Sequence, residues 1–152
     1  MHDNKEIELK FYLDSEKTGD VLYNGDLGVY GRFSELPSTR ILPIAMADEV
    51  VAGDATIYTT LEDGKIEEYK IRISSINKNS QDNKNLIVKI TDENLISKTG
   101  GIIQGMSGSP IVQNGKLVGA VTHVFLNDST GGYGVFAQTM LEKVIEIDNS
   151  NN

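Results

Sequence analysis

Residues 99–123 read TGGIIQGMSGSPIVQNGKLVGAVTH, and this stretch decides the fold. Within it, residues 105–110 have the form G-x-S-G-x-P. Glycine tolerates left-handed backbone conformations that a Cβ disfavours, so this segment can form a tight turn that exposes the Ser107 hydroxyl. The same turn could aim the backbone N–H groups of Gly105 and Ser107 at one point, as an oxyanion hole beside a nucleophile requires. A plain glycine- and serine-rich loop before a hairpin is the alternative.

A hairpin is predicted directly after this loop. Asn114 and Gly115 form the Asn-Gly pair that is the strongest short hairpin signal. The pair lies between the apolar segments 111–113 and 116–122, which we interpret as two antiparallel strands. The loop with Ser107 is therefore expected to lead straight into a sheet.

The residues before the loop predict a strand and a short helix. Residues 86–90 (LIVKI) are typical of a buried strand, and residues 92–97 indicate one helical turn. Asp92 is the expected N-cap of that turn, and Gly100 or Gly101 is the expected end. Asp92 thus has a structural role available to it as well as a chemical one.

The rest of the chain alternates short strands with turns and ends in a helix. Met140, Leu141, Val144 and Ile145 recur at helical spacing and predict a C-terminal amphipathic helix over 138–148. Further strands are predicted at 7–13, 21–23, 27–33, 41–46, 55–61, 65–76 and 133–137. We therefore predict an all-β fold, one antiparallel β-barrel of about six to eight short strands with a C-terminal α-helix.

Composition limits the class of protein. The 152 residues carry a formal net charge of −8, which argues against a nucleic acid or an anionic membrane surface as the main partner. Zero cysteines exclude disulfides and thiol chemistry. With no long apolar segment and no signal peptide, we expect a soluble chain without membrane contact of its own. We expect no cofactor, and the acidic pair Asp48 and Glu49 is unconvincing as a metal site.

Several stretches resemble a known family. The order of motifs is similar to the C-terminal barrel of chymotrypsin-like serine proteases. A closer resemblance is to the peptidase domain of the stage IV sporulation protein B (SpoIVB) family, carried by LGVYG, LPIAMADEVVAGDATI, VKITDENLISKTGGIIQGMSGSPIVQNGKLVGAVTHVF and NDSTGGYGV. We accordingly divide the chain into an unmatched segment 1–18, a peptidase-like barrel 19–148 and a polar tail 149–152.

The resemblance implies a serine endopeptidase with a Ser-His-Asp catalytic set. Ser107 falls on the nucleophile of that family, and Asp92 falls on its catalytic aspartate. The implied substrate is a peptide or a protein. The family acts in sporulation signalling, anchored to the membrane in the space between mother cell and forespore. Its general-base histidine lies in a Gly-His segment that we expect upstream of the stretch matched here, so a truncated domain without its base is predicted.

The two histidines of the chain are His2 and His123. His2 is close to the terminus, and His123 is expected to be structural, at the wall of the substrate cleft. Ser109 is the competing hydroxyl, although its place in the motif favours packing. Because a serine without a base is a poor nucleophile, the alternative function is a catalytically inactive peptidase-like domain that binds a peptide or a protein partner. The oligomeric state stays open.

Overall fold

The computed structural model describes residues 19–35, 41–62 and 64–151. Its strands are β1 (Gly19–Gly25), β2 (Gly28–Phe33), β3 (Gly53–Thr60), β4 (Ile66–Ile76), β5 (Leu86–Ile90), β6 (Pro110–Gln113), β7 (Lys116–Val124) and β8 (Gly131–Phe136). Its α-helices are α1 (Glu93–Thr99) and α2 (Ala137–Ser150). Strands β3 to β8 form a closed barrel in the order β3-β4-β5-β8-β7-β6, and every neighbouring pair is antiparallel.

The barrel interior is filled with apolar side chains because buried apolar residues alternate with exposed residues along the strands. Successive side chains of a strand point to opposite faces of the sheet, and β4 buries Tyr69, Ile71 and Ile73 while the residues between them are exposed. Strands β3 and β6 close the barrel where Ile57 pairs with Ile111, and both of these side chains are fully buried. The interior is therefore built largely from the β-branched residues that favour strands.

The predicted barrel with a C-terminal helix is confirmed. The Asn-Gly pair turns between β6 and β7 with φ angles of 52° at Asn114 and 74° at Gly115, as a tight hairpin turn requires. The strand predicted at 41–46 is wrong, because Ile44 makes a single isolated bridge there. Pro43 has no N–H to donate, and a 3₁₀ helix begins at Ala47, so pairing stops after one bridge.

Strands β1 and β2 form a separate two-stranded sheet outside the barrel, and α2 ties this hairpin to the rest of the molecule. The Arg32 guanidinium lies 2.8 Å from the Asp148 carboxylate, and the Lys143 ammonium lies 4.0 Å from the centre of the Tyr23 ring. Within the described ranges, no helix is long and apolar enough to cross a membrane. The predicted strand 7–13 and His2 lie outside the described residues.

Candidate active site

The loop between α1 and β6 presents Ser107 at the surface. Gly105 and Gly108, on either side of it, have φ angles of 99° and 90°, which an L-residue rarely adopts. A Cβ at either glycine would meet nothing within 4 Å, so the backbone conformation, and not lack of space, requires glycine there. Met106 is only 2% exposed and anchors the loop in the core, which leaves the neighbouring Ser107 exposed.

Backbone hydrogen bonds hold this loop against β7. The Gly108 amide donates to the Val121 carbonyl at 2.7 Å, and the Val121 amide donates to the Ser109 carbonyl at 3.0 Å. The Ser107 hydroxyl donates to the Thr122 carbonyl at 3.0 Å. The hydroxyl proton is thus held by a backbone carbonyl, which orients Oγ but is far too weak a base to remove the proton.

The amides of the loop divide into two groups. Those of Met106, Gly108 and Ser109 donate to backbone carbonyls. Within the described parts of the chain, the amides of Gly105 and Ser107 have no acceptor. Two N–H groups without a partner beside an exposed hydroxyl are the donors that an oxyanion hole needs.

A cavity of about 490 Å³ opens beside Ser107. On the barrel side it is lined by Ser107, Gly108 and residues 120–123 of β7. The opposite side is formed by residues 25–30, at the turn end of the β1–β2 hairpin, and Asp26 lies in the turn itself. His123 lines the same cavity.

Ser109 is buried and does not line the cavity, whereas a competing nucleophile would have to face that cavity. Its residue is 7% exposed, and it is absent from the lining of the cavity that contains Ser107. Its amide donates to the Met106 carbonyl at 3.0 Å, so the backbone of Ser109 helps to shape the loop. The structure therefore places one hydroxyl of this pair at the cavity and the other in the interior.

Asp92 does not line the cavity that contains Ser107. One of its carboxylate oxygens accepts hydrogen bonds from the amides of Asn94 (3.0 Å) and Leu95 (3.3 Å), and the other accepts from the amide of Lys70 (3.0 Å). Burial by itself raises the pKa of the Asp92 carboxyl, but the three amides outweigh burial and hold the pKa below its usual range. Both oxygens are committed to capping α1 and fixing it to β4.

Replacing Asp92 by alanine is expected to lower the free energy of unfolding by about 1–2 kcal/mol at neutral pH, because the N-cap is lost. The folded pKa lies below the unfolded pKa, so this contribution is present above about pH 4 and disappears as the pH falls through the folded pKa. Urea denaturation of both proteins across this pH range measures the difference. Asp54→Ala, at an exposed aspartate, is the control, and an equal loss in both variants would contradict the capping role.

Comparison with known proteins agrees with this architecture. The family model of the SpoIVB peptidase S55 matches residues 2–141. The chain belongs to the SpoIVB peptidase S55 family. It is therefore a peptidase-like domain. The matched range also takes in most of the segment 1–18 that the sequence analysis set apart.

Solved structures share the fold of this SpoIVB peptidase S55 domain. Rv3671c from M. tuberculosis H37Rv, as a serine-to-alanine mutant in an inactive form, is 16% identical with a TM-score of 0.63, and the match covers 88% of this chain and 66% of that one. The active form of the Rv3671c protease is 17% identical with a TM-score of 0.62, covering 85% and 58% respectively. The chain thus spans less than two thirds of these proteins. No curated protein sequence matches it.

The structure brings together some of the predicted site residues of this family member and separates others. Ser107 and His123 share one cavity, whereas Asp92 and Ser109 lie outside its lining. The sequence analysis did not predict that Asp26 would line this cavity, because nothing local to the hairpin turn indicates which surface the turn faces. Among the described residues, no three histidine or acidic side chains cluster in a way that could hold a metal ion.

Proposed function

We propose that this chain is a serine endopeptidase domain of the SpoIVB type, with Ser107 as the nucleophile. The observation that carries this proposal is the exposed Ser107 hydroxyl, held between two glycines of positive φ at the edge of a cavity. The Ser107 oxygen would attack the carbonyl carbon of a peptide bond. The amides of Gly105 and Ser107, which have no acceptor within the described chain, would bind the oxyanion that forms.

An open strand edge beside Ser107 supports an extended peptide as the substrate. The ladder between β6 and β7 ends where Pro110 pairs with Ala120. Beyond it, the Val121 amide donates to the Ser109 carbonyl and the Val121 carbonyl accepts from the Gly108 amide. From Thr122 onward, β7 pairs only with β8 among the described strands. A peptide strand could therefore add to this edge through main-chain hydrogen bonds, which would place one of its carbonyl groups next to the Ser107 hydroxyl.

Among the described residues, no general base contacts the Ser107 hydroxyl. Within the described chain, the Ser107 hydroxyl has one hydrogen-bond partner, the Thr122 carbonyl, and no imidazole contacts it. A serine hydroxyl is almost wholly protonated at neutral pH, and peptidase chemistry needs a group that accepts its proton. We extend the proposal to the setting implied by the family resemblance, namely sporulation signalling between mother cell and forespore, with the base supplied from outside the described residues.

The lack of a base among the described residues favours a second candidate function, a catalytically inactive domain that binds a peptide through the same edge. A fluorophosphonate probe distinguishes the two, because it labels a serine only when the hydroxyl is activated. We expect labelling of wild type that Ser107→Ala abolishes. Ser109→Ala is the matched control and should keep the labelling, because Ser109 is buried away from the cavity. Wild-type protein that stays unlabelled at every pH and with every added base would favour the binding function.

A further inference from the structure

The Thr122 carbonyl holds the proton of the Ser107 hydroxyl. The hydroxyl donates to this carbonyl oxygen at 3.0 Å. A serine side chain has a single O–H to donate, so a proton held by the Thr122 carbonyl is not available to a base. The described conformation therefore orients Ser107 but keeps it from acting as a nucleophile.

A β-bulge in β7 places this carbonyl beside Ser107. The register of β7 and β8 shifts between Val121 and His123, so Thr122 is the extra residue and has no partner in β8. Bulges leave such a residue outside the ladder and are frequent next to functional sites. The Thr122 hydroxyl donates to the Tyr133 carbonyl of β8 at 3.2 Å, which fixes the side chain on that side while the carbonyl of Thr122 meets Ser107.

The Thr122 carbonyl also begins the open strand edge of β7. Just beyond β7, the Phe125 amide donates to the Gly131 carbonyl at 3.0 Å. Opposed residues of an antiparallel pair alternate between hydrogen-bonded and non-hydrogen-bonded positions, so the main-chain groups of Val124 face away from β8. The carbonyl of Thr122 and the main-chain groups of Val124 are then the edge to which a peptide strand would add.

We propose that the Ser107 hydroxyl and an incoming peptide compete for the Thr122 carbonyl, so that this hydrogen bond is an autoinhibitory contact released by the substrate. The competition rests on the proposed function, because both place an extended peptide on this edge. A main-chain N–H of the peptide takes over the carbonyl oxygen at about 2.9 Å. The Ser107 hydroxyl then turns away, and its proton becomes available to a base without any covalent change.

Ser107→Ala tests this competition without catalysis, because it removes the competing hydroxyl and leaves the strand edge intact. The probe is a tetra-alanine peptide with acetylated and amidated ends, titrated into the ¹⁵N-labelled full chain and followed by the amide shifts of residues 120–124. We expect Ser107→Ala to bind this peptide about fivefold more tightly than wild type, as the loss of one competing hydrogen bond predicts. Equal or weaker binding by Ser107→Ala overturns the proposal.

Two variants and a second peptide control for other effects of the change. Ser107→Cys keeps the size of the side chain but has a weaker donor, so its affinity should lie between those of wild type and Ser107→Ala. An affinity of Ser107→Cys equal to that of wild type would assign the gain to side-chain size and overturn the competition. Ser109→Ala, at a buried serine, should bind as wild type does. A fully N-methylated tetra-alanine has no N–H, and any fivefold gain with that peptide would also overturn the proposal.

The outcomes distinguish the competition from the proposed peptidase function. Tighter peptide binding by Ser107→Ala, with no fluorophosphonate labelling of wild type, would support the competition and contradict the peptidase chemistry. Labelling that Ser107→Ala abolishes, with equal peptide affinity in the two proteins, would overturn the competition and leave the peptidase function intact. Absence of saturable shifts in both proteins would overturn the competition as well, since the peptide would not occupy the edge.

Discussion

Gly105→Ala is expected to slow the labelling of Ser107 by a fluorophosphonate about a hundredfold. The φ angle of Gly105 is 99°, and an L-residue in a left-handed conformation is disfavoured by about 1–2 kcal/mol. The backbone would relax away from that angle, and the Gly105 amide would turn from the position that we assign to the oxyanion hole. Removal of one oxyanion donor in other enzymes costs a factor of about 10²–10³ in rate.

The matched control for Gly105→Ala is Gly115→Ala. Gly115 also has a positive φ angle, of 74°, and a Cβ there would likewise meet nothing within 4 Å. It lies in the turn between β6 and β7, outside the lining of the Ser107 cavity. The two variants should lose similar stability in urea denaturation, and only Gly105→Ala should lose labelling rate. Equal labelling rates in both variants would contradict the proposed role of the Gly105 amide as an oxyanion-hole donor.

Ile57→Ala is expected to lower the free energy of unfolding by about 2–5 kcal/mol. Ile57 is 0% exposed and lies on β3, where the barrel closes against β6. Removing most of its side chain would forfeit the free energy of burying it and leave a cavity that the surrounding strands cannot fill. For a domain of this size, such a loss is a large part of the total stability. The measurement is the free energy of unfolding by urea denaturation.

Ile66→Ala is the control for this change. Ile66 begins β4, the strand that follows β3 in the barrel, and it is 67% exposed. The same atoms are removed, but little buried surface is lost, so the free energy of unfolding should change by about 0.5 kcal/mol or less. Equal destabilisation of the two alanine variants would contradict the buried position of Ile57 in the barrel interior.

Features that depend on neighbouring residues could be predicted from the sequence. The Asn114 and Gly115 pair specifies the tight turn between β6 and β7 because both residues adopt positive φ angles there. Asp92 specifies the start of α1 because its carboxylate reaches amides two and three residues ahead. The alternation of Tyr69, Ile71 and Ile73 marks the buried face of β4.

The strand predicted at residues 41–46 is wrong for a reason that lies outside the local sequence. An apolar run can form a strand only if a partner offers enough hydrogen bonds, and the partner there provides one bridge, between Ile44 and Leu117. The hydrogen bond between Asp92 and Lys70 could not be predicted locally either. One carboxylate oxygen of Asp92 accepts from the backbone amide of Lys70, 22 residues away in the chain, and no local pattern indicates that contact.

By itself, the sequence determined the barrel, its terminal helix and the glycine-flanked serine, because alternation, turn residues and φ preferences act over a few residues. Only the tertiary structure decided what surrounds Ser107. It placed His123 and the Asp26 turn at one cavity and left Asp92 outside the lining. The physical reason is that α2, through ion pairing and a cation–π contact with the hairpin, fixes residues that lie some eighty positions apart in the chain. Such distant contacts depend on how complete elements pack, which no short window of residues encodes.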